Sequence, residues 1–141
     1  MRFMMIVKAS GESEAGGMPE KEMIEAMTKF NEEMANAGVL LEADGLHPSS
    51  EGVRIKFSGD KRTVEYGPFP NPTDLIAGYW IIKVKSKEEA IQWAKRSPNP
   101  MKDIGVIELR QIFEAEEFGE EFTPELRQRE QKIREKVGAK K

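Results

Sequence analysis

The residues able to do acid–base or anion chemistry are few in this sequence. In the stretch GVIELRQIF, residues 105–113, Glu108 and Arg110 alternate with Ile107 and Leu109. In an extended strand that spacing turns both charges to one face of a sheet. A carboxylate beside a guanidinium is either an inert ion pair or an anion clamp. In the clamp, Arg110 holds a carboxylate or enolate and Glu108 serves as acid or base. The single histidine, His47, stands before a proline in GLHPSSEG. It is either an idle loop residue or a general base oriented by Asp44 or Asp74. Tyr66, Phe69, Tyr79 and Trp80 are candidate walls of an aromatic pocket, although aromatics beside a Gly-Pro turn also serve packing. Tyr79 and Trp80 are adjacent in a strand, so at most one of them should face a given cavity.

Other chemistries are excluded by composition. The 141 residues contain no cysteine, which removes disulfides, thiolate nucleophiles and zinc–thiolate sites. One imidazole is too few for an ordinary transition-metal site. There is no phosphate loop, dinucleotide glycine fingerprint or nucleophile elbow, so neither metal nor cofactor is expected. A formal charge of −3 gives no global field to steer the chain to nucleic acid or membrane. No apolar run approaches the roughly 20 residues of a membrane span. The opening MRFMMIVKAS lacks a small-residue cleavage site and reads as a strand rather than a signal peptide; a cytoplasmic location is the expectation.

The elements that would position these residues follow from periodicity. RFMMIVK alternates with Phe3, Met5 and Val7 on one face and Met4 and Ile6 on the other, so both faces of that strand need cover. The GESEAGG segment reads as a flexible lid, followed by Pro19 in the first turn of a helix. Met23, Met27, Phe30, Met34 and Ala37 form that helix's apolar stripe, and Gly38 ends it. GVLLEADGL is a second strand; GVRIKFSGDKRTVEY is a hairpin whose Arg54 and Lys56 point into solvent. VEYGPFPNPTDLIAGYW turns at Gly67-Pro68 and leads into the strand GYWIIKV. Ser86 and Glu89 make a capping box for a helix from Lys87, with Ala90, Ile91, Trp93 and Ala94 on its apolar side and RSPNP as its stop. GVIELRQIF is the last strand.

The order is β-α-β, a hairpin insertion, then β-α-β. That predicts an α+β, ferredoxin-like βαββαβ sandwich: four antiparallel strands with two helices on one face. Met4 and Ile6 on the other face make a homodimer the natural expectation. Residues 114–141 form a charged extension, with Thr123-Pro124 opening a helix that carries only Leu126, Ile133 and Val137 as aliphatic residues. This extension reads either as a solvated tail or as an arm across a dimer partner.

With that order established, YGPFPNPTDLIAGYWII resembles the signature of the YCII-related family, in its branch named for the tetrapeptide Asp-Gly-Pro-Phe. Gly67, Pro68 and Phe69 stand in register, as do Gly78, Tyr79 and Trp80. MRFMMIVKA, MANAGVLLEADGL and GVIELRQI are similar to further segments of the family, so the resemblance spans residues 1–113. It implies a ferredoxin-like fold assembled as a dimeric α/β barrel. The chain departs from the pattern at Tyr66, Asn71 and Thr73, where the branch carries aspartate, glutamate and lysine; Asp74 keeps the remaining acidic position. The catalytic histidine proposed for enzyme-like members falls near Met27. Two functions are therefore expected: a small-molecule-binding or accessory dimeric module without that histidine, or a cofactor-independent lyase, isomerase or dehalogenase. The second would act on a small carboxylated or phenolic compound through Glu108 and Arg110, with His47 or Asp74 beside them in one pocket. A small organic acid is the ligand class the Arg110 clamp suggests.

Overall fold

A computed structural model describes residues 1–139 of the chain. They fall into two compact units, Met1–Gln111 and the segment from Ile112 onward. In the first, strand β1 (Arg2–Lys8) is followed by the short helix α1 (Gly11–Glu14), helix α2 (Lys21–Asn36) and strand β2 (Leu40–Gly45). A hairpin of β3 (Val53–Ser58) and β4 (Lys61–Tyr66) comes next, then β5 (Ile76–Lys83), helix α3 (Lys87–Arg96) and β6 (Ile107–Gln111).

The four long-range strands form one sheet in the order β2-β5-β1-β6, every pair antiparallel. This is the ferredoxin-like arrangement expected from the sequence; β3 and β4 pair only with each other, as the expected insertion. Alternation decides which face is covered. Phe3, Met5 and Val7 of β1 and Trp80 and Ile82 of β5 are buried in one cluster with Phe30 and Met34 of α2 and Ala90 of α3. Both helices therefore cover the same face. The Phe30 ring meets Trp80 edge-on, with centroids 5.7 Å apart at 88°, and Trp93 at 6.5 Å. Such edge-to-face contacts add a directional term to the burial of large rings.

Helix α2 ends as its sequence predicts, with Gly38 at φ +74 just past the Ala37 cap. Its start is later than expected: Glu20 is the N-cap, so Pro19 lies outside the first turn. The GESEAGG segment is not an open lid. Ser10 accepts from the Ser13 N–H and the Ser13 hydroxyl bonds back to Ser10, a reciprocal cap that winds Gly11–Glu14 into α1. The expected box at α3 is only half made. Ser86 Oγ accepts from the Glu89 N–H at 3.1 Å, while the Glu89 carboxylate turns to the Lys85 N–H at 2.9 Å. Ile91, placed on the apolar side of α3, is exposed. Arg96 ties α3 to α2 through Glu33 at 2.8 Å and lies over the Trp93 ring.

The second unit holds a run of 3-10 turns (Ala115–Glu121) and helix α4 (Pro124–Ala139), opened by Thr123, whose hydroxyl accepts from the Leu126 N–H. Within it Phe118 packs between Phe113, tilted, and Phe122, edge-on, and Arg127 lies over Phe122. Leu126, Ile133 and Val137 are exposed.

Candidate functional site

In an antiparallel ladder directly paired residues share a face, so the uncovered side of the sheet can be read row by row. Asp44, Tyr79, Ile6 and Glu108 make one row; Glu42, Ile81, Met4 and Arg110 make the next. Glu108 and Arg110 do share this face, as their spacing requires. Their contact is loose, Nη1 to Oε2 3.5 Å, with the two side chains 73% and 43% exposed for Arg110 and Glu108 respectively. An open pair of this kind is screened and holds little energy. On the neighbouring strand the Tyr79 hydroxyl donates to Glu42 Oε1 at 3.5 Å. Partial burial, then the negative charges of Glu42 and Asp44, raise the Tyr79 phenol above its ordinary pKa of 10.0.

A concave feature of the first unit lies elsewhere. A cleft of about 610 Å³ opens on the helix-covered side, at the end of the sheet where β2 and β5 run out. Its floor is Val7, Ala43, Ala77 and Trp80, and one wall is the N-terminal half of α2, with Met23, Met27 and Asn31. The methionine stripe of α2 thus divides along its length: Phe30 and Met34 go to the core, Met23 and Met27 to the cleft. Glu12, Ser13 and Met18, from α1 and the segment after it, form the opposite side, with Pro100 and Met101. Asp44 and His47 stand at the mouth.

Helix α1 is fixed in place by its carboxylates. Glu14 accepts from both the N–H and the hydroxyl of Ser49, and Glu12 accepts from the Lys102 N–H at 3.4 Å. The Ser49 hydroxyl also accepts from the Phe69 N–H at 3.0 Å. Through Ser49, the Gly67-Pro68-Phe69 stretch is tied to α1. Gly67 is required there by contact: a Cβ on it would lie 1.7 Å from the Ser49 carbonyl oxygen.

The structure does not bring the expected catalytic group together. Glu108 and Arg110 do not line the cleft; His47 does, and its Nδ1 is 2.8 Å from Glu51 Oε2 with the ring largely in solvent. Asp74 caps off a 3-10 turn, Pro72–Asp74, exposed and away from the cleft. Nor do the four aromatics share a pocket. Tyr66 ends β4 at 78% exposed, and Phe69 sits under the Arg54 guanidinium at 3.9 Å. Arg54 is therefore engaged with a ring rather than simply solvated. Tyr79 and Trp80 both border the cleft, against the expectation that at most one would. The cleft lies at the sheet's end, where residues of both faces are within reach. Among the described residues no cluster of His, Asp and Glu could hold a metal ion, and no helix is long and apolar enough to cross a membrane.

Asn31 escaped sequence reasoning, although a signal was present. It continues the i, i+4 row of Met23 and Met27, a polar residue inside an apolar stripe. The α1 cap was also legible, as Ser10 and Ser13 at capping-box spacing.

The YCII-related domain matches residues 1–116, and the chain belongs to that family. No curated protein matches at a significant level. Among solved structures it is similar to 5-chloro-2-hydroxyhydroquinone dehydrochlorinase from Burkholderia phenoliruptrix AC1100, in complex with 2,5-dihydroxybenzoquinone, at 10% identity and a TM-score of 0.47, over 83% of this chain and 98% of that one.

Proposed function

We propose that this YCII-related chain is a small-molecule-binding module of the Asp-Gly-Pro-Phe branch, acting in the cytoplasm as a homodimer and without imidazole catalysis. The observation that supports it is the cleft: about 610 Å³, walled by thioether and aliphatic side chains, with Met27 on the helix face that would carry the family's histidine. That volume and apolar lining suit a drug-sized organic ligand. The enzymatic reading rests on Glu108 and Arg110, which lie outside the cleft on the open sheet face. The binding reading is the better supported of the two.

A thermal-shift screen of small aromatic compounds tests it. A compound at a hundredfold its Kd stabilises by about 2.7 kcal/mol, a melting rise of roughly 10 °C for a chain of this size. Thr28→Trp places an indole into the cleft from the surface of α2, where Thr28 is exposed and borders the space. Hits should lose their shift in that variant. A library without a hit, or hits that shift Thr28→Trp equally, overturns the reading.

The homodimer is proposed from Met4, Ile6, Tyr79 and Ile81, half-buried side chains on a sheet face that no element of the first unit covers. Light scattering should give twice the chain mass, and Ile6→Lys should return the protomer. A monomeric parent protein refutes this part alone.

A further inference from the structure

We infer that Asn31 selects the ligand of this cleft, and that the ligand is an uncharged apolar compound carrying an acceptor oxygen, such as an aryl ketone or lactone, rather than an organic acid. The inference rests on the cleft being the binding site and adds what the cleft recognises.

The Trp80 indole N–H donates to Asn31 Oδ1 at 2.7 Å. An indole nitrogen can only donate, so it fixes which end of the amide faces it. Trp80 is itself held, buried in the core and edge-on to Phe30. The amide oxygen of Asn31 is thereby committed to the core side. The two donors on Nδ2 have no partner among the described residues, and they belong to a residue bordering the cleft. One turn of α2 earlier on the same row stands Met27, and the floor beside it is Ala43 and Trp80. The setting is an oriented N–H pair at the edge of an apolar surface.

Charge decides between acceptor types. No lysine or arginine lines the cleft, whereas Glu12 and Asp44 do, and His47 is engaged by Glu51. A carboxylate ligand would be desolvated near two like charges with no fixed cation to offset them. A neutral carbonyl meets neither penalty and satisfies Nδ2. A hydrocarbon of the same shape leaves those donors without water or partner, which costs about five-fold or more in affinity.

The test compares three naphthalenes of matched shape: acetylnaphthalene, ethylnaphthalene and naphthoate. Each is titrated into the full-length chain and into Asn31→Asp. That variant keeps an oxygen to accept from Trp80 but replaces the amide N–H donors. The expected order in the parent is ketone, then hydrocarbon by about five-fold, with the carboxylate weakest. In Asn31→Asp the ketone should lose its advantage over the hydrocarbon. The Trp80 indole proton resonance provides a readout that needs no variant: the naphthalene ring current moves it with either probe, and the ketone should move it further downfield than the hydrocarbon, because a carbonyl drawing on Nδ2 polarises the amide that accepts from Trp80. Equal binding of ketone and hydrocarbon by the parent, tightest binding of naphthoate, or a ketone preference surviving in Asn31→Asp each overturns the role of Asn31 while leaving the cleft as the site. Failure of all three probes to bind overturns the cleft reading itself, and this inference with it.

Discussion

Replacing Gly67 by alanine probes the join between the Gly-Pro-Phe stretch and the rest of the first unit. The added Cβ would fall 1.7 Å from the Ser49 carbonyl oxygen, 2.7 Å from its carbon and 3.3 Å from the Gly52 oxygen. All three are backbone atoms, so no side chain can swing aside. The chain has two ways out. It can keep the join and force the backbone apart, an overpacking cost of about 1–3 kcal/mol or more. Or it can let the join go, which loses Gly67 N–H to the Gly52 carbonyl (2.9 Å), Phe69 N–H to Ser49 Oγ (3.0 Å) and the Arg54–Phe69 stack. At about 1 kcal/mol for each hydrogen bond and 0.5–1 for the stack, release costs roughly 2.5–3 kcal/mol. Release therefore caps the loss near 3 kcal/mol, about 10 °C in Tm. Denaturant unfolding followed by circular dichroism measures the loss, and amide exchange at Phe69 shows which route is taken. Gly59→Ala, at φ +59 but with open space around its Cβ, is the control and should cost only about 1–2 kcal/mol of backbone strain. A Gly67→Ala protein within 0.5 kcal/mol of the parent, with the Phe69 amide still protected, would refute the contact argument.

The other expectations are more local. Because the Tyr79 phenol is raised in the folded state, the unfolded chain loses this proton first as pH rises. Stability from Tyr79 is thus full below pH 10.0 and falls as pH climbs from there through the folded pKa. In a Tyr66→Phe background, which leaves Tyr79 as the one tyrosine, the tyrosinate absorbance should appear above the ordinary range, and Glu42→Gln should bring it down; an unchanged midpoint would contradict the charge contribution. Ile82→Ala, at a fully buried site, should cost about 2–5 kcal/mol by chemical denaturation. Ser86→Ala should cost about 1 kcal/mol through its lost cap at α3, and a neutral result would show that the Glu89 N–H finds water instead.

Most of the sandwich was legible because its signals are periodic and strong. Phe3, Met5 and Val7 against Met4 and Ile6 gave the two-faced strand, and Gly38 gave the end of α2 at its residue. The hairpin declared itself through SGDK between alternating runs. What sequence could not supply was convergence. Glu108 and Arg110 share a face, as two-residue spacing demands, but spacing is silent on whether that face meets a cavity. The cleft is made by segments distant in sequence: α1, α2, the ends of β2 and β5, and Met101. One of its polar side chains, Asn31, owes its orientation to Trp80, 49 positions later, and no local pattern encodes such a pairing. The segment preceding α2 departs from the lid its glycines suggest for the opposite reason: a purely local signal, the Ser10–Ser13 cap, organises it.

The strand order sets the tempo at which this chain finds its fold. Phe3 pairs with Ile82 on one side and with Gln111 on the other, so the strand that comes first must wait for the two that come last. No neighbouring pair of segments in the main sheet can zip up early as a hairpin; only β3 and β4 can, and they add nothing to the sheet. Loop closure on that scale has to be met before any burial rewards it, which makes the domain a slower folder than a helical bundle of its size. Until β6 docks, that edge of β1 keeps its backbone groups unpaired, and a newly made chain would be open to association with others at that stage.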